Sequence, residues 1–372
     1  MESMNMTINR LPAYTYNWLH LNVTHLSGVR TREEAPFSAE VPEGITRSAE
    51  RFPEAAGGAY GNVLTGSGED VDALVKAAGV PVNTFAVPEG KRITGDAVRI
   101  SLNYEDQGFV YDARGGTGDP SSAGKVNAYA LVLGENSEMT VVMDYSSEAG
   151  ASGLSAVQTK IFAAKNSVLH LVQIQRLGSG FTLLNDIGGE CGQNARVEVI
   201  RLILSGKNTY DGCRVALAGD ESSLGVDIGY LVAGDGRLDM NYDAFHTGKK
   251  TSCEINAAGV LRDRAFKLFR GTIDFQTGCS GSTGDEMEDV LLMDDGVVNQ
   301  TIPLILCAEE DVVGNHGATI GRLDEDLMFY MEARGMNREE IYEMMAKARV
   351  DAVIRKIPDP KTRDALSEQE RE

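Results

Sequence analysis

The stretch "VNAYALVLGENSEMTVVMDY", residues 126–145, holds the pattern from which the fold is read. Val126, Ala128, Ala130 and Val132 alternate with Tyr129, Leu131 and Leu133, a period of two that suits strands rather than helices. The amide-rich "GENSE" then turns the chain into a second strand-length run. The same grammar recurs downstream in "SVLHLVQIQRL", "ARVEVIRLIL", "LGVDIGYLV", "RLDMNYDAFH", "AFKLFRGTIDF" and "VLLMDD", and no helix-length pattern interrupts it between residues 166 and 322.

The turns are spaced regularly. "GENSEMTVV", "AKNSVLHLV", "GQNARVEVI" and "AGDESSLGV" begin at Gly134, Ala164, Gly192 and Ala218, which are 30, 28 and 26 residues apart. A coil that stacks two or three short strands per rung produces such spacing. A hairpin-built sandwich explains the alternation but asks neither for the near-regular interval nor for so little helix in a body of this length. The expected fold is therefore mainly β, a right-handed parallel β-helix core over residues 95–322, with helical terminal regions.

Outside that core the period changes. Residues 1–94 read as a mixed α/β and helical region, in which Leu11, Pro12, Tyr14, Trp18, Leu19 and Leu21 are candidate anchors and "GEDVDALVKAAG" is a short helix with Val71, Leu74 and Val75 as its stripe and Gly79 as its stop. Residues 323–372 read as a helical region. Asp324 caps a first helix with Leu327, Met328 and Met331 on one face. Asn337 and Glu340 open a second, lined by Ile341, Met344, Met345, Ala348 and Ala352, and Pro358 and Pro360 end it. The remaining "KTRDALSEQERE" reads as a polar tail that frays or forms one loosely held turn.

Composition narrows the function. The 372 residues carry 35 Lys and Arg against 55 Asp and Glu, a net charge of −20, which argues against nucleic acid as principal partner. No run of about 20 apolar residues is present to cross a membrane, and the opening residues lack the basic-then-apolar order of a secretion signal. A cytoplasmic location is expected. The five cysteines are odd in number, widely spread and without a C-x-x-C pair, so they read as buried small hydrophobes.

Catalytic motifs are missing: there is no G-x-S-x-G, no P-loop G-x-x-x-x-G-K-[ST] and no H-E-x-x-H. "GSGEDVD" lacks the spacing and length of a calcium loop and reads as a solvated loop. Paired carboxylates such as Asp294 with Asp295 and Glu309 with Glu310 arise readily in so acidic a chain. The concentrated signal is "LILCAEEDVVGNHGATIGRLDEDLMFYMEARG", where Cys307 and His316, nine residues apart, offer a thiolate and an imidazole to a metal. On two adjacent strands they face each other or point apart; the plain alternative is a buried cysteine and a histidine held in a turn of Gly314, Asn315 and Gly317.

The segment "EEDVVGNHGATIGRLDEDLMFYMEARGM" resembles the C-terminal signature of the SufB/SufD family of iron–sulfur cluster assembly proteins, and "VLRDRAFKLFRGTIDFQTGCSGSTGDEMEDVLLMDD" resembles that family's last β-helix rungs. The likeness is specific over residues 240–350. It implies a non-enzymatic scaffold subunit that docks a SufC-like ABC-type ATPase through its C-terminal helices, here Asp324 to Ile357. It implies too that the last rungs pair with a SufB-like subunit or form a homodimer. A transient iron–sulfur cluster or iron would assemble near that junction, with His316 and Cys307 as candidate metal-binding residues. The SufD-like branch carries the H-G-A-T context found at His316, Gly317, Ala318 and Thr319. The SufB-like branch has a glutamate where Gly317 stands and a cysteine near Gly296, where this chain has none. The chain therefore resembles the SufD-like branch. His246 resembles a rung-corner histidine with a structural role, and Arg264 and Arg270 read as solvated cations or cross-rung partners. A different class of function, a cytosolic β-helical or β-sandwich protein binding a small molecule or carbohydrate, would instead show a cleft rich in aromatics and paired carboxylates.

Overall fold

In the computed structural model, which describes residues 3–52, 54–116 and 121–369, the period-two segments form a parallel β-solenoid of about 7 turns. Each rung gives one strand to each of two sheets. The first sheet runs from the C-terminal end as Val298–Cys307, Phe266–Phe275, Arg237–His246, Asn208–Leu217, Gly180–Cys191, Ser152–Ala163, Gly124–Leu133 and Val82–Val87. The second runs as Val312–Gly321, Ser282–Leu292, Ser252–Leu261, Ser223–Val232, Arg196–Ser205, Val168–Arg176, Glu138–Ser147 and Val98–Tyr104. Val82–Val87 lies upstream of residue 95, so the sheets begin earlier than the expected core boundary.

The turn spacing translates directly into register. Lys125 pairs with Ser155, Ser152 with Gly180 and Thr182 with Asn208, so successive rungs are offset by 30, 28 and 26 residues. At the first three of these turns an asparagine takes the left-handed conformation, Asn136 at φ 57°, Asn166 at 57° and Asn194 at 52°, and at the fourth Glu221 does so at 62°; the short polar side chain of asparagine tolerates it better than most. Asn166 Nδ2 donates to Asn136 Oδ1 at 2.8 Å and Asn194 Nδ2 to Asn166 Oδ1 at 2.9 Å, a side-chain ladder along one corner.

The inner faces of both sheets form one continuous core. Its two ends differ. At the N-terminal end Thr46–Glu50 pairs antiparallel with Val82–Val87, and Ser38–Glu40 with Val98–Tyr104, so that neither first parallel strand is a bare edge. At the C-terminal end Val298–Cys307 and Val312–Gly321 each have a neighbour on one side only. Pro303, which has no N–H to give a ladder, sits in the first of them, as expected of an edge strand.

Helix α1 (Glu69–Ala78) buries Val71, Leu74 and Val75 and stops at Gly79, φ 66°. The "GSGEDVD" segment that leads into it is not a solvated loop. Gly66 and Ser67 are buried, Ser67 N donates to Asp186 Oδ1 at 2.8 Å, and a Cβ on Gly66 would lie 1.9 Å from the backbone N of Cys213. Only glycine permits that approach of two backbones.

Three helices close the chain: α2 (Glu325–Glu332), α3 (Arg338–Ile354) and α4 (Pro360–Gln369). Asp324 caps α2 by accepting from the N–H groups of Asp326 and Leu327, and Asn337 with Glu340 forms a reciprocal capping box on α3. The orientation of α3 differs from the expected stripe. Ile341 is buried as expected, but Met344, Ala348 and Ala352 face solvent, while Tyr342, Val350, Val353 and Ile354 face the solenoid. The cause is the partner surface: Val172, Ile174, Ile200 and Leu202 form an outer apolar patch that Val350, Val353, Ile354, Ile357 and Leu366 cover. The expected fraying tail is instead helix α4, with Leu366 buried and Asp359 accepting from Thr362 N at 2.8 Å at its start.

Candidate functional site

Following one inner position across the second sheet, from the rung of Glu138–Ser147 outward, gives Val141, Leu171, Val199, Val226 and Ile255, then Glu286, then His316. An aliphatic ladder thus becomes a carboxylate and an imidazole in the last two rungs. His316 lies on the inner face, since two residues earlier a Cβ on Gly314 would sit 3.0 Å from Ile305 across the lumen. His316 is exposed because no rung covers it.

The layer beneath His316 is polar and buried. Lys267 Nζ binds Glu288 Oε1 and also donates to Thr301 Oγ1 at 3.0 Å, and Thr301 Oγ1 donates to Glu288 Oε2 at 2.6 Å. Glu286 is 4% exposed and its Oε2 has no hydrogen-bond partner. Burial, reinforced by the Glu288 carboxylate and opposed by Lys267, pushes the Glu286 carboxyl up to about 8. Space for it comes from Gly271 on the facing sheet, where a Cβ would lie 2.2 Å from Glu286 Oε2. Sequence reading passed over Glu286 and Glu288 because charge suggests solvent; their parity with Val290 in "GDEMEDV" was the signal that both point inward.

Cys307 and His316 are not brought together. Ile305 opposes Gly314 and Thr301, bonded to Glu288, lies opposite the row that ends in Ala318, which leaves His316 facing Pro303. Cys307 is four residues along the strand from Pro303, about 13 Å at 3.3 Å per residue. It is exposed at the strand end, with Sγ 3.1 Å from the carbonyl oxygen of Glu309. Among the described residues no three His, Cys, Asp or Glu side chains converge as a metal site. Any metal held by His316 thus needs donors from beyond this chain's own terminal rung.

The other cysteines are buried, as expected. His246 is buried at a rung corner with Nδ1 2.7 Å from Thr251 Oγ1 and Nε2 3.3 Å from Cys253 Sγ. Burial lowers its pKa to about 4 and raises the Cys253 thiol to about 12, so the pair is neutral and inert at pH 7. Arg264 is exposed, but Arg270 is no solvated cation: it is fully buried and reaches back one rung to Asp239, Nη1 to Oδ1 at 2.6 Å.

A groove of about 720 Å3 runs beside α3 over Leu204, Leu231, Val260 and Met293. No aromatic side chain lines it, so it offers a sugar ring no stacking platform. Among the described residues no helix is long and apolar enough to cross a membrane.

A parallel solenoid with an open, histidine-bearing terminal rung and a helical tail defines the class of protein. Comparison with known families is specific: residues 116–349 match the family described as "SUF system FeS cluster assembly, SufBD core domain", and the chain belongs to it. The iron–sulfur cluster assembly protein SufD of Bacillus subtilis is 24% identical over 236 residues, covering 62% of this chain and 54% of that protein. SufB of the same organism is 23% identical over 208 residues, 56% of this chain and 44% of its own length. A SufBD family protein of Mycobacterium leprae is 27% identical over 139 residues, 37% of this chain and 16% of that protein. The chain spans about half the length of the two Bacillus relatives. The SufD-like character of the H-G-A-T segment is consistent with these matches.

Proposed function

We propose that the chain is a non-catalytic scaffold subunit of a SUF-type iron–sulfur cluster assembly complex. It pairs with a SufB-like subunit or a second copy through Val298–Cys307 and Val312–Gly321, and it docks a SufC-like ATPase on its C-terminal helices. The observation that carries this reading is the asymmetry of the solenoid, capped at one end and bare at the other. A bare edge of free N–H and C=O groups is a ready template for pairing with another chain. On this edge His316 has no covering rung, and among the described residues no group of three metal-ligating side chains forms around it.

Iron or a nascent cluster is the cargo of such a complex. His316 would supply one imidazole donor, and the paired subunit the remaining donors. Cys307 stands too far along the strand to share that metal within one chain, and would serve only through a donor set completed at the junction. The polar layer of Lys267, Glu286 and Glu288 would set the charge behind the imidazole.

The test is anaerobic reconstitution of the complex with wild-type chain and with His316→Ala, scored for iron and sulfide per complex. His316 is solvent-exposed, so the variant should assemble with unchanged thermal stability and retain less of both. Wild-type iron and sulfide in the variant complex would return His316 to a structural role.

A further inference from the structure

Glu286 and His316 are direct neighbours across the last two strands of the second sheet, paired Cα to Cα in parallel register. Paired residues of parallel strands point to the same face, and the strands lie about 4.8 Å apart. Both side chains therefore enter the lumen one above the other, the carboxylate buried and the imidazole open. Opposite them stand Gly271 and Pro303, themselves paired neighbours in the first sheet, and neither brings a polar side chain. The other charges of the layer satisfy each other: Lys267 is bound by Glu288, and Thr301 Oγ1 bridges the two, 3.0 Å from Lys267 Nζ and 2.6 Å from Glu288 Oε2. Glu286 is left over, 4% exposed and with no hydrogen-bond partner for Oε2. A buried carboxylate without a partner is costly. A proton or a cation relieves it, and the imidazole on the next strand gives a cation a second donor.

We propose that Glu286 and His316 together hold one divalent transition-metal cation at the bare end of the lumen, Fe2+ in the cluster-assembly reading. The inference deepens that reading and rests on it for the identity of the metal, and it assigns one of the donors beyond the imidazole to this chain. An imidazole nitrogen and a carboxylate oxygen each bind ions of this class at about 2.1 Å, a bite open to two side chains whose strands lie about 4.8 Å apart. A mixed nitrogen and oxygen pair suits iron(II) better than the hard cations that take oxygen alone. The remaining positions face the uncovered side of the terminal strand, where water or a paired subunit completes the shell. Two donors are fewer than a closed structural site uses, which fits an ion that is handed on rather than kept.

The test uses the full chain, with Fe2+ alone as the probe in anaerobic equilibrium dialysis and excess Mg2+ to occupy the acidic surface. The expected result is about one Mg2+-resistant Fe2+ per chain, bound about tenfold or more weakly by Glu286→Gln and by His316→Ala alike. Asp294→Asn, an exposed carboxylate elsewhere, should bind as the wild type does. Independently of any variant, substoichiometric Mn2+ should broaden the amide NMR signals of residues 284–288 and 314–318 before all others. Undiminished binding by Glu286→Gln beside a loss in His316→Ala overturns the pair and leaves His316 a lone donor. The absence of a Mg2+-resistant ion, or broadening confined to other segments, means an adventitious ion only and likewise overturns it. The scaffold reading stands or falls separately, on the iron and sulfide held by the assembled His316→Ala complex.

Discussion

Asp359, at the start of the last helix, accepts two parallel hydrogen bonds from Arg99, in the first rungs: Nη1 to Oδ2 at 2.8 Å and Nη2 to Oδ1 at 3.0 Å. A forked pair of this kind fixes orientation as well as proximity, and it fastens α4 to a strand 260 residues earlier in the chain. Neighbouring Leu366 is buried against the same outer face.

The pair makes the C-terminal region acid-sensitive. Burial disfavours the Asp359 carboxylate, but the bonds from Arg99 and from Thr362 outweigh it and hold the group down at about 2. A carboxyl depressed in the folded state contributes stability above its unfolded value near 3.8 and loses it as pH falls toward 2. Asp359→Asn should therefore cost roughly 2 kcal/mol at pH 7 and show a smaller loss between pH 4 and pH 2 than the wild type, measured by urea unfolding. Amide exchange should rise first in residues 360–369.

Glu286 has the opposite sign. Its carboxyl is raised to about 8 by burial, so the folded state favours the protonated form and stability declines as pH rises from about 4.5 to about 8. Glu286→Gln removes that dependence, and its unfolding midpoint should exceed the wild type's at pH 8 and match it near pH 5. Gly271→Ala, which drives a methyl into the carboxylate, should cost about 1–3 kcal/mol at either pH. A flat wild-type profile over this range would contradict the assignment.

Arg270 is the buried charge on which the N-terminal loop depends. It binds Asp239, the carbonyl of Leu21 and Thr24 Oγ1, at 2.6, 2.7 and 3.1 Å. Arg270→Met leaves Asp239 with Arg237, Asn9 and Thr24 as partners but strips the loop of its anchor. About 3 kcal/mol of destabilisation is expected, with limited proteolysis between residues 11 and 22 as the specific sign.

What could be read beforehand follows from which physics dominates locally. Alternation, turn composition and helix caps are short-range, so the rung spacing, Asp324 and Asn337 were visible in the sequence. The face of α3 was not, because Val172 and Ile200 decide it from well over a hundred residues away. Glu286 and Glu288 were hidden for a related reason: only the closing of the lumen, with Lys267 and Gly271 opposite, makes an inward carboxylate tolerable. His316 was picked out by its family context, whereas its separation from Cys307 depends on the pairing of the two sheets.

The C-terminal helices call for a test gentler than removal. Deleting residues 323–372 would strip the cover from Val172, Ile174, Ile200 and Leu202, so a truncated chain is expected to aggregate whether or not it binds the ATPase. The side available to a partner is the opposite one, where Phe329 is 73%, Tyr330 51%, Met344 40% and Leu327 38% exposed on α2 and α3. Substituting Phe329→Ser and Met344→Ser changes only solvent-facing atoms, so the thermal midpoint should stay within a few degrees of the wild type. Capture of a SufC-like ATPase should fall by about tenfold or more if these side chains are the anchors of the docking surface. Serine substitutions at Leu64 and Val110, equally exposed but far along the sequence from both helices, serve as the control and should leave capture unchanged. Equal loss from both sets would mean that general surface hydrophobicity, not the α2–α3 face, governs the capture, and undiminished binding by the Phe329/Met344 variant would remove the ATPase from these helices.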